Sequence, residues 1–240
     1  AGLRRAQLRL TEKIPVGEGS VDIAAAVVRT IGENQPYNSS SASETGTDAD
    51  IPTFQGRIGI ALPLWVDNKK AGLGVSGHYG QEEIDLDATG KTKDIPTWSA
   101  NVDLTLPITS AITFLGEGFV GENLDTYAAG IGRGFVANTE DPESVKSIKA
   151  YGGWFALQAK FIQKLAINGG AGIDKLDRDD IETVGGREQN ISVFANATYS
   201  LTDAFSLGIE YLHVQTDYLT AGTVKEADLN RYHLSATYGF

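Results

Sequence analysis

Polar and apolar residues alternate along most of this chain, and no apolar run is long. The longest uninterrupted apolar run is Ile23–Val28, whereas a transmembrane helix needs about 20 such residues. In the stretch 54–64 the even positions are Phe, Gly, Ile, Ile, Leu and Leu, and the odd ones include Gln, Arg and Gly. This period of two is typical of strands with one apolar and one polar face. The chain is therefore predicted to be all-β, and a helical membrane protein is excluded.

The same alternation recurs along the 240 residues and predicts eleven strands, which together form a single domain over 1–240. Each strand is close to the length that spans a bilayer at a tilt. The predicted strands are 3–14, 18–31, 53–65, 70–82, 96–107, 110–121, 147–162, 164–175, 188–201, 204–218 and 228–240.

Short and long connections alternate between these strands. The short turns are 16–19, 66–70, 107–111, 162–164 and 202–204. The long polar loops are 32–52, 82–96, 121–147, 176–188 and 220–228. Outer-membrane barrels have short periplasmic turns and long external loops, whereas a soluble β-sandwich has no reason to sort its connections in this way.

Aromatic residues on the apolar faces form two bands, as expected where amphipathic rings sit at the two membrane interfaces. The band beside the short turns contains Trp65, Phe114, Phe161, Tyr199, Phe205 and Phe240. The band toward the long loops contains Phe54, Tyr79, Trp98, Tyr151, Tyr211 and Tyr232. The sequence therefore predicts an antiparallel transmembrane β-barrel of the outer-membrane type, located in the bacterial outer membrane.

Eleven is an odd number, whereas bacterial single-chain barrels have an even number of strands. One explanation is an overlooked strand, which would give 12 in all. The other is that the chain is the C-terminal portion of a longer barrel, and this is favoured because a full strand begins directly after Ala1. An open edge in lipid would leave backbone groups unpaired, so we expect further strands to close the barrel.

The composition excludes several partners and cofactors. The formal charge is −11, which argues against general nucleic-acid binding. There are no cysteines and hence no thiolate metal site, and we expect no cofactor. The acidic stretches 82–87 and 177–182 offer oxygen ligands for Ca²⁺. Solvated external charge, or contact with lipopolysaccharide through bridging cations, is the favoured interpretation of both.

Several stretches of the second half resemble outer-membrane porins of the DcaP-like family. They are GEGFVGENLDTYAAGIGRGF (116–135), GGWFALQAKF (152–161), INGGAGIDKLDRDD (167–180), REQNISVFANATYSLTDAFSLGIEYLHVQTDYL (187–219) and LNRYHLSATYGF (229–240). The resemblance implies a homotrimer of barrels with about sixteen strands, which passes small anionic solutes, dicarboxylates among them. It also implies that an outward-facing aromatic at the end, here Phe240, is what such barrels present to their insertion machinery.

If the apolar side chains face lipid, the alternate set lines the pore. The basic candidates for pore-lining or selectivity residues are Arg5, Arg9, Arg57, Lys160 and Arg231, with His233 beside the last. The acidic candidates are Asp103, Glu117, Asp174 and Glu210. Opposed charges would create a transverse field that orders polar solutes and water. The alternative for each residue is an ion pair that braces the wall.

The stretch 121–147 is the longest loop and carries three charged candidates, Glu122, Asp125 and Arg133, beside a Gly-rich apolar segment. Such a loop can fold into the lumen and constrict it, as in porins. It can equally cover a neighbouring subunit, and the sequence leaves both alternatives open.

The predicted function is passive diffusion of small hydrophilic solutes, with anions or dicarboxylates preferred, and not an enzymatic activity. One alternative is a barrel enzyme of the lipase or protease type, which needs a base beside a nucleophile. The bases available are His78, His213 and His233, and no orienting acid is visible. The other alternative is a filled structural or adhesive barrel. Small lumenal residues such as Gly59, Gly74 and Gly170 favour an open pore instead.

Overall fold

The structure is a computed structural model that describes residues 5–32, 46–86, 91–138, 141–182, 185–220 and 223–239. In chain order the strands are β1 (Gln7–Val16), β2 (Gly19–Val28), β3 (Thr53–Pro63), β4 (Lys70–Asp85), β5 (Thr92–Pro107), β6 (Ile112–Glu122), β7 (Phe135–Asn138), β8 (Asp141–Ser147), β9 (Lys149–Ile162), β10 (Leu165–Leu176), β11 (Gly186–Ser200), β12 (Phe205–Thr220) and β13 (Thr223–Tyr238). The helical segments are two 3-10 turns, Asp125–Tyr127 and Gly130–Gly132, and the short helix α1 (Arg178–Ile181). No helix in the described residues is long and apolar enough to cross a membrane.

Eleven of these strands form one antiparallel sheet in the order β1-β2-β3-β4-β5-β6-β9-β10-β11-β12-β13. Every sheet neighbour is also the next sheet strand along the chain, which is an up-and-down meander. The remaining two, β7 and β8, form a separate hairpin inside the connection between β6 and β9. The eleven strands predicted from the alternation are therefore confirmed, and their ends shift by a few residues.

Two of the predicted long loops are mostly strand, and that part of the prediction is wrong. β4 and β5 stay paired out to Asp85 and Thr92, and β12 and β13 out to Thr220 and Thr223. The first extension is stabilised because Ile84, at its end, is fully buried. Polar residues beyond the bilayer resemble a loop in sequence, although backbone pairing continues there. Below, the loop end is the end of the sheet that carries 29–52 and 123–148, and the turn end is the opposite one.

The outward face of the sheet is apolar and exposed, as a lipid-facing surface must be. The strand register sets Phe54, Tyr79 and Trp98 side by side on β3, β4 and β5, near the loop end. Tyr79 is 55% exposed, and near the turn end Phe161 is 69% exposed. The described members of the two predicted aromatic bands thus lie at opposite ends of the outward-facing set, whereas Phe240 lies outside the described residues.

The buried apolar residues lie at the loop end, where the segment between β6 and β9 packs on the strand extensions. One cluster joins this segment to β9, β10, α1 and β12, and contains Leu124, Ile131, Val136, Ile148, Ala150, Leu176, Ile181 and Leu219. The second joins β8 to the β4–β5 extension and contains Ile84, Leu86, Ile95 and Val145. These two cores fix the position of the long connection over the sheet.

The sheet is open in the described residues. Strand β1 pairs only with β2 and strand β13 only with β12. Every residue of β1 and of β13 is exposed, on both faces. Two sheet edges are thus left without a neighbour at the positions where the barrel would close.

Candidate solute pathway

The inner face of the sheet encloses a cavity of about 520 Å³. It is lined by Arg9 of β1, Arg57 of β3, Glu117 of β6 and Trp154 of β9, among others. In a flat sheet, β1 and β9 would lie about 29 Å apart, because neighbouring strands are separated by about 4.8 Å. One cavity touches both strands, so the sheet curls. The predicted lumenal residues Arg9, Arg57 and Glu117 therefore share one space.

An ion pair crosses the inner face below this cavity. The Arg57 guanidinium Nη2 donates to both carboxylate oxygens of Asp103, to Oδ2 at 2.6 Å. A Cβ atom on Gly74, the residue between them on β4, would collide with both side chains. Gly74 therefore makes room for the pair. Two of the predicted selectivity residues thus form an ion pair across the wall, and their role in selectivity stays a prediction.

A second cavity of about 270 Å³ continues toward the turn end. It shares Arg57, Glu117 and Trp154 with the first cavity, and Asp22 and Asp103 also line it. Asp22 is 3.9 Å from Lys13 in an exposed pair. The two cavities therefore adjoin each other along the inner face, at Arg57, Glu117 and Trp154.

The segment between β6 and β9 enters this space through Tyr127. The Tyr127 ring stacks on the His78 imidazole with centroids 3.9 Å apart, and Gln55 donates to its hydroxyl at 3.3 Å. The Arg5 guanidinium carbon lies 4.3 Å from the centre of the same ring. Arg5 also donates to the Thr126 carbonyl at 2.6 Å. Strands β3 and β4 and the residues before β1 thus hold one aromatic ring inside the lumen.

His78 is oriented by hydroxyl groups on β5. Thr97 Oγ1 donates to the Asn123 carbonyl at 2.8 Å, so its oxygen accepts from His78 Nε2 at 3.0 Å. His78 Nδ1 then accepts from Ser99 Oγ at 2.8 Å. This network assigns the neutral Nε2–H tautomer and connects the lumenal ring to the start of the long connection.

The other end of the segment is anchored on β10 and β11. Both oxygens of Asp174 accept backbone N–H groups, from Gly130 at 3.1 Å and from Ile131 at 3.0 Å. Asp174, a predicted lumenal acid, is therefore occupied by the segment and is withdrawn from the solute path. Arg133 donates to the Gly185 and Arg187 carbonyls at 2.9 and 3.1 Å. Burial, with a smaller contribution from the charge of Arg187, lowers the pKa of Arg133.

The remaining predicted loop residues lie where β6 ends. Glu122 accepts from Ser147 Oγ at 3.0 Å, which ties the two ends of the connection together. Asp125 begins the first 3-10 turn, and its Oδ1 is buried without a hydrogen-bond partner in the described residues. Glu122 and Arg133 thus anchor the segment, Asp125 lies in its first turn, and Tyr127 is the side chain that meets the lumen.

Four predicted lumenal residues lie away from the two cavities. On β12, Glu210 accepts from Asn196 at 3.3 Å, and Asn196 accepts from Asn168 at 2.7 Å. On β13, Arg231 lies 3.1 Å from His233 Nδ1, and both side chains are exposed. Lys160 lies on the inner face of β9 near the turn end. The fold therefore does not bring these residues together with Arg9 and Arg57.

No protein-family model matches the sequence, and no curated protein matches it either. The crystal structure of the outer membrane channel DcaP of Acinetobacter baumannii is similar with a TM-score of 0.72 and 14% identity, over 98% of this chain and 62% of that chain. A porin structure refined at 1.8 Å resolution is similar over the same shares, with a TM-score of 0.49 and 14% identity. The chain has the fold of an outer-membrane β-barrel. It spans about three fifths of the length of the DcaP channel, and its fold agrees with the predicted outer-membrane location.

Sequence reasoning missed three residues of the barrel's inner face, Gln55, Tyr127 and Trp154. Gln55 and Trp154 lie on the polar parity of their strands and were detectable by the alternation alone. Tyr127 lies in the loop, and its contact with His78 depends on packing across 49 residues of chain, which no local pattern encodes. His78 was considered only as a catalytic base, and in the barrel it is a stacking partner.

The barrel also carries an acidic group at the loop end. Carboxylate oxygens of Asp50, Glu83 and Asp94 lie within 4.8 Å of one another. Glu83 belongs to the acidic stretch 82–87, and in the other stretch Asp180 accepts from Lys146 at 3.0 Å. Solvated external charge, the favoured interpretation, and Ca²⁺ binding at these stretches both stay predictions.

Proposed function

We propose that this chain forms most of the wall of a passive channel for small hydrophilic solutes in the bacterial outer membrane. The observation that carries the proposal is the contrast between the two faces of one curled sheet. The outward face presents exposed Tyr79 and Phe161, and the inward face presents Arg9, Arg57 and Glu117 around open space. Lipid outside and water inside account for both faces at once.

Further strands complete the wall in this proposal. The free edges of β1 and β13 support it, since an unpaired backbone group in lipid costs several kcal/mol. The extent of the similarity supports it too, because this chain corresponds to 62% of the DcaP channel. A total of about sixteen strands, and a homotrimer, are the corresponding expectations for the complete protein.

The segment 123–134 acts as the constriction in this proposal. It is supported by the contacts of Tyr127 with His78 and Gln55, and by the anchoring of the segment on Asp174. A ring held by three different parts of the wall reduces the open cross-section at the loop end. Solutes would pass beside Tyr127 and then along Arg57 and Glu117.

The preference for anions or dicarboxylates is a finer part of the proposal. Arg9 and Arg57 on the cavity wall support it. Asp103 offsets the charge of Arg57, and Glu117 faces the same space. The net selectivity therefore depends on the balance of a few groups, which conductance measurements resolve directly.

The test is the conductance of the complete, natively purified protein in a planar bilayer under a salt gradient. Discrete current steps support the channel, and an anion-favouring reversal potential supports the finer proposal. A cation-favouring potential would retain the channel and reject the anion preference. Absence of steps from correctly inserted protein would reject the channel, and hydrolytic assays on lipid and peptide substrates would then test the enzyme alternative.

A further inference from the structure

Three large aromatic side chains lie on the inner face, where the alternation leads one to expect polar residues. They are Phe119 on β6, Trp154 on β9 and Phe194 on β11. Trp154 lines both cavities, and Phe119 lines the larger one. Phe194 shares its strand face with Asn196, which accepts a hydrogen bond from Asn168 on the neighbouring strand. Phe119 also packs against the buried cluster at the loop end, whereas a water-filled lumen gives no such reason for Trp154 and Phe194.

Each of these rings faces a glycine on the neighbouring strand. The register pairs Phe119 with Gly152, Trp154 with Gly172, and Phe194 with Gly170. A Cβ on Gly152 would lie 2.8 Å from Phe119 Cζ, and one on Gly170 would lie 2.9 Å from Phe194 Cε1. The two phenylalanine rings therefore lie against the wall and present a face to the lumen.

The register also offsets the three rings along the direction of the strands. Phe119 is level with Gly152, and Trp154 is two residues further along β9 toward the turn end. Phe194 is level with Gly170, which pairs with Ala156, two residues beyond Trp154. Each step of two residues corresponds to about 6.7 Å along a strand. We call this set of three offset rings, Phe119, Trp154 and Phe194, the aromatic track.

The polar groups beside the aromatic track are acids, amides and hydroxyls. Glu117 is the register neighbour of Trp154, and both side chains line the two cavities. Further along are Ser192, Asn196 and Glu210. Two bases lie on the inner parity of these strands: Lys160 near the turn end of β9, and Arg187 at the loop end of β11, beyond a bulge, where it pairs with Tyr218. Between these two ends, this side of the lumen carries acids, amides and hydroxyls and is unfavourable for anions.

We infer that the aromatic track binds and guides neutral carbohydrates, a solute class that deepens the proposed channel function and rests on it. A pyranose ring has an apolar C–H face that packs on an aromatic ring, and hydroxyls that pair with carboxylate and amide groups. The track offers both kinds of contact at three positions that are offset along the strands. Several weak sites in series permit entry and release, which conduction requires.

The test is the block of open-channel current by a linear malto-oligosaccharide, compared with a polyethylene glycol of similar size that has no ring face. The complete protein and two variants are used, Trp154→Leu and the control Phe155→Leu, which removes an aromatic side chain from the lipid face of the same strand. We expect the sugar to block in a saturable way, Trp154→Leu to weaken its binding about tenfold, and Phe155→Leu to leave it unchanged.

The failures of the two proposals are distinguishable. Steady current steps that the sugar blocks no better than polyethylene glycol would overturn the carbohydrate inference and leave the channel intact. Equal sugar block in Trp154→Leu and the complete protein would also overturn it. Block by tetramethylammonium but not by sugar would reassign the aromatic track to organic cations. Absence of any current step would overturn the channel itself.

Discussion

The two sides of the lumen obey the same alternation and are built from different chemistry. The side formed by β1–β5, the charged side, carries Arg9, the Arg57–Asp103 pair and the His78 stack on Tyr127. The side formed by β6 and β9–β12, the aromatic side, pairs rings with glycines and carries acids and amides. Period two determines which residues face inward. It does not determine what those residues do, because that depends on the register between strands.

The largest effect is expected from the glycines of the aromatic side. A Cβ on Gly170 would collide with the Phe155 carbonyl oxygen and the Phe194 ring, whereas one on Gly72 of the charged side would meet nothing closer than 3.8 Å. Gly170→Ala should destabilise the barrel by about 1–3 kcal/mol, as other overpacked sites do. Gly72→Ala should have little effect. The measurement is the fraction of folded barrel, from the heat-dependent electrophoretic mobility of each variant.

Equal folded fractions of Gly170→Ala and Gly72→Ala would contradict this difference between the two sides. They would show that the Phe194 ring and the wall move apart freely. Gly74→Ala, in which the colliding atoms belong to the mobile Arg57 and Asp103 side chains, is the intermediate case. It should fold like Gly72→Ala and change the conductance instead.

The next effect in size is on charge selectivity. Asp103→Asn leaves the Arg57 guanidinium without its carboxylate partner, so the charged side should favour anions more strongly. Arg57→Gln should shift the reversal potential toward cations. The matched control on the aromatic side is Glu210→Gln, whose carboxylate is held by Asn196 away from the cavities. A shift from Glu210→Gln as large as that from Asp103→Asn would contradict the separation of the two sides.

The strands and their orientation could be predicted from the sequence because a lipid-facing surface imposes period two over whole strands. The inward facing of Arg57 and Asp103 could be predicted because both residues lie on the inner parity of their strands. That they form a pair could not, because it depends on the register of β3, β4 and β5. The Phe119, Trp154 and Phe194 rings lie on the polar parity of their strands. The sequence does not explain this placement, because the glycines that they face lie on other strands. The strand extension at Ile84 was missed because polar residues surround it.

The constriction, too, could be predicted from the sequence only in part. The length and composition of 121–147 predicted a loop that either enters the lumen or covers a neighbour, and charge drew attention to Glu122, Asp125 and Arg133. The structure assigns entry into the lumen to Tyr127 and anchoring to Asp174. The alternation that predicts the facing of strand residues does not extend to a loop. The contacts of an aromatic ring in a loop can therefore be seen only in the folded structure.

A smaller effect should follow from releasing Tyr127 from the charged side. Tyr127→Ala removes the stack on His78 and the contact with Arg5, each of which is worth about 1 kcal/mol. The segment should then leave the lumen more often, and the single-channel current should rise and become noisier. Tyr127→Phe retains the ring and loses only the hydroxyl contact with Gln55, so its current should stay near that of the unmodified protein. An unchanged current in Tyr127→Ala would show that the anchors on Asp174 alone hold the constriction.

The smallest effect is expected at Lys160, a base that the alternation places on the inner face of β9, on the aromatic side. It lies near the turn end and is exposed, so its charge is largely screened beyond about 10 Å at 0.1 M salt. Lys160→Gln should shift the reversal potential by less than Arg57→Gln does, and the shift should fade as the salt concentration rises. If Lys160→Gln shifted the reversal potential as much as Arg57→Gln does at high salt, the selective step would lie at the turn end. That result would contradict the difference in charge selectivity between the two sides of the lumen.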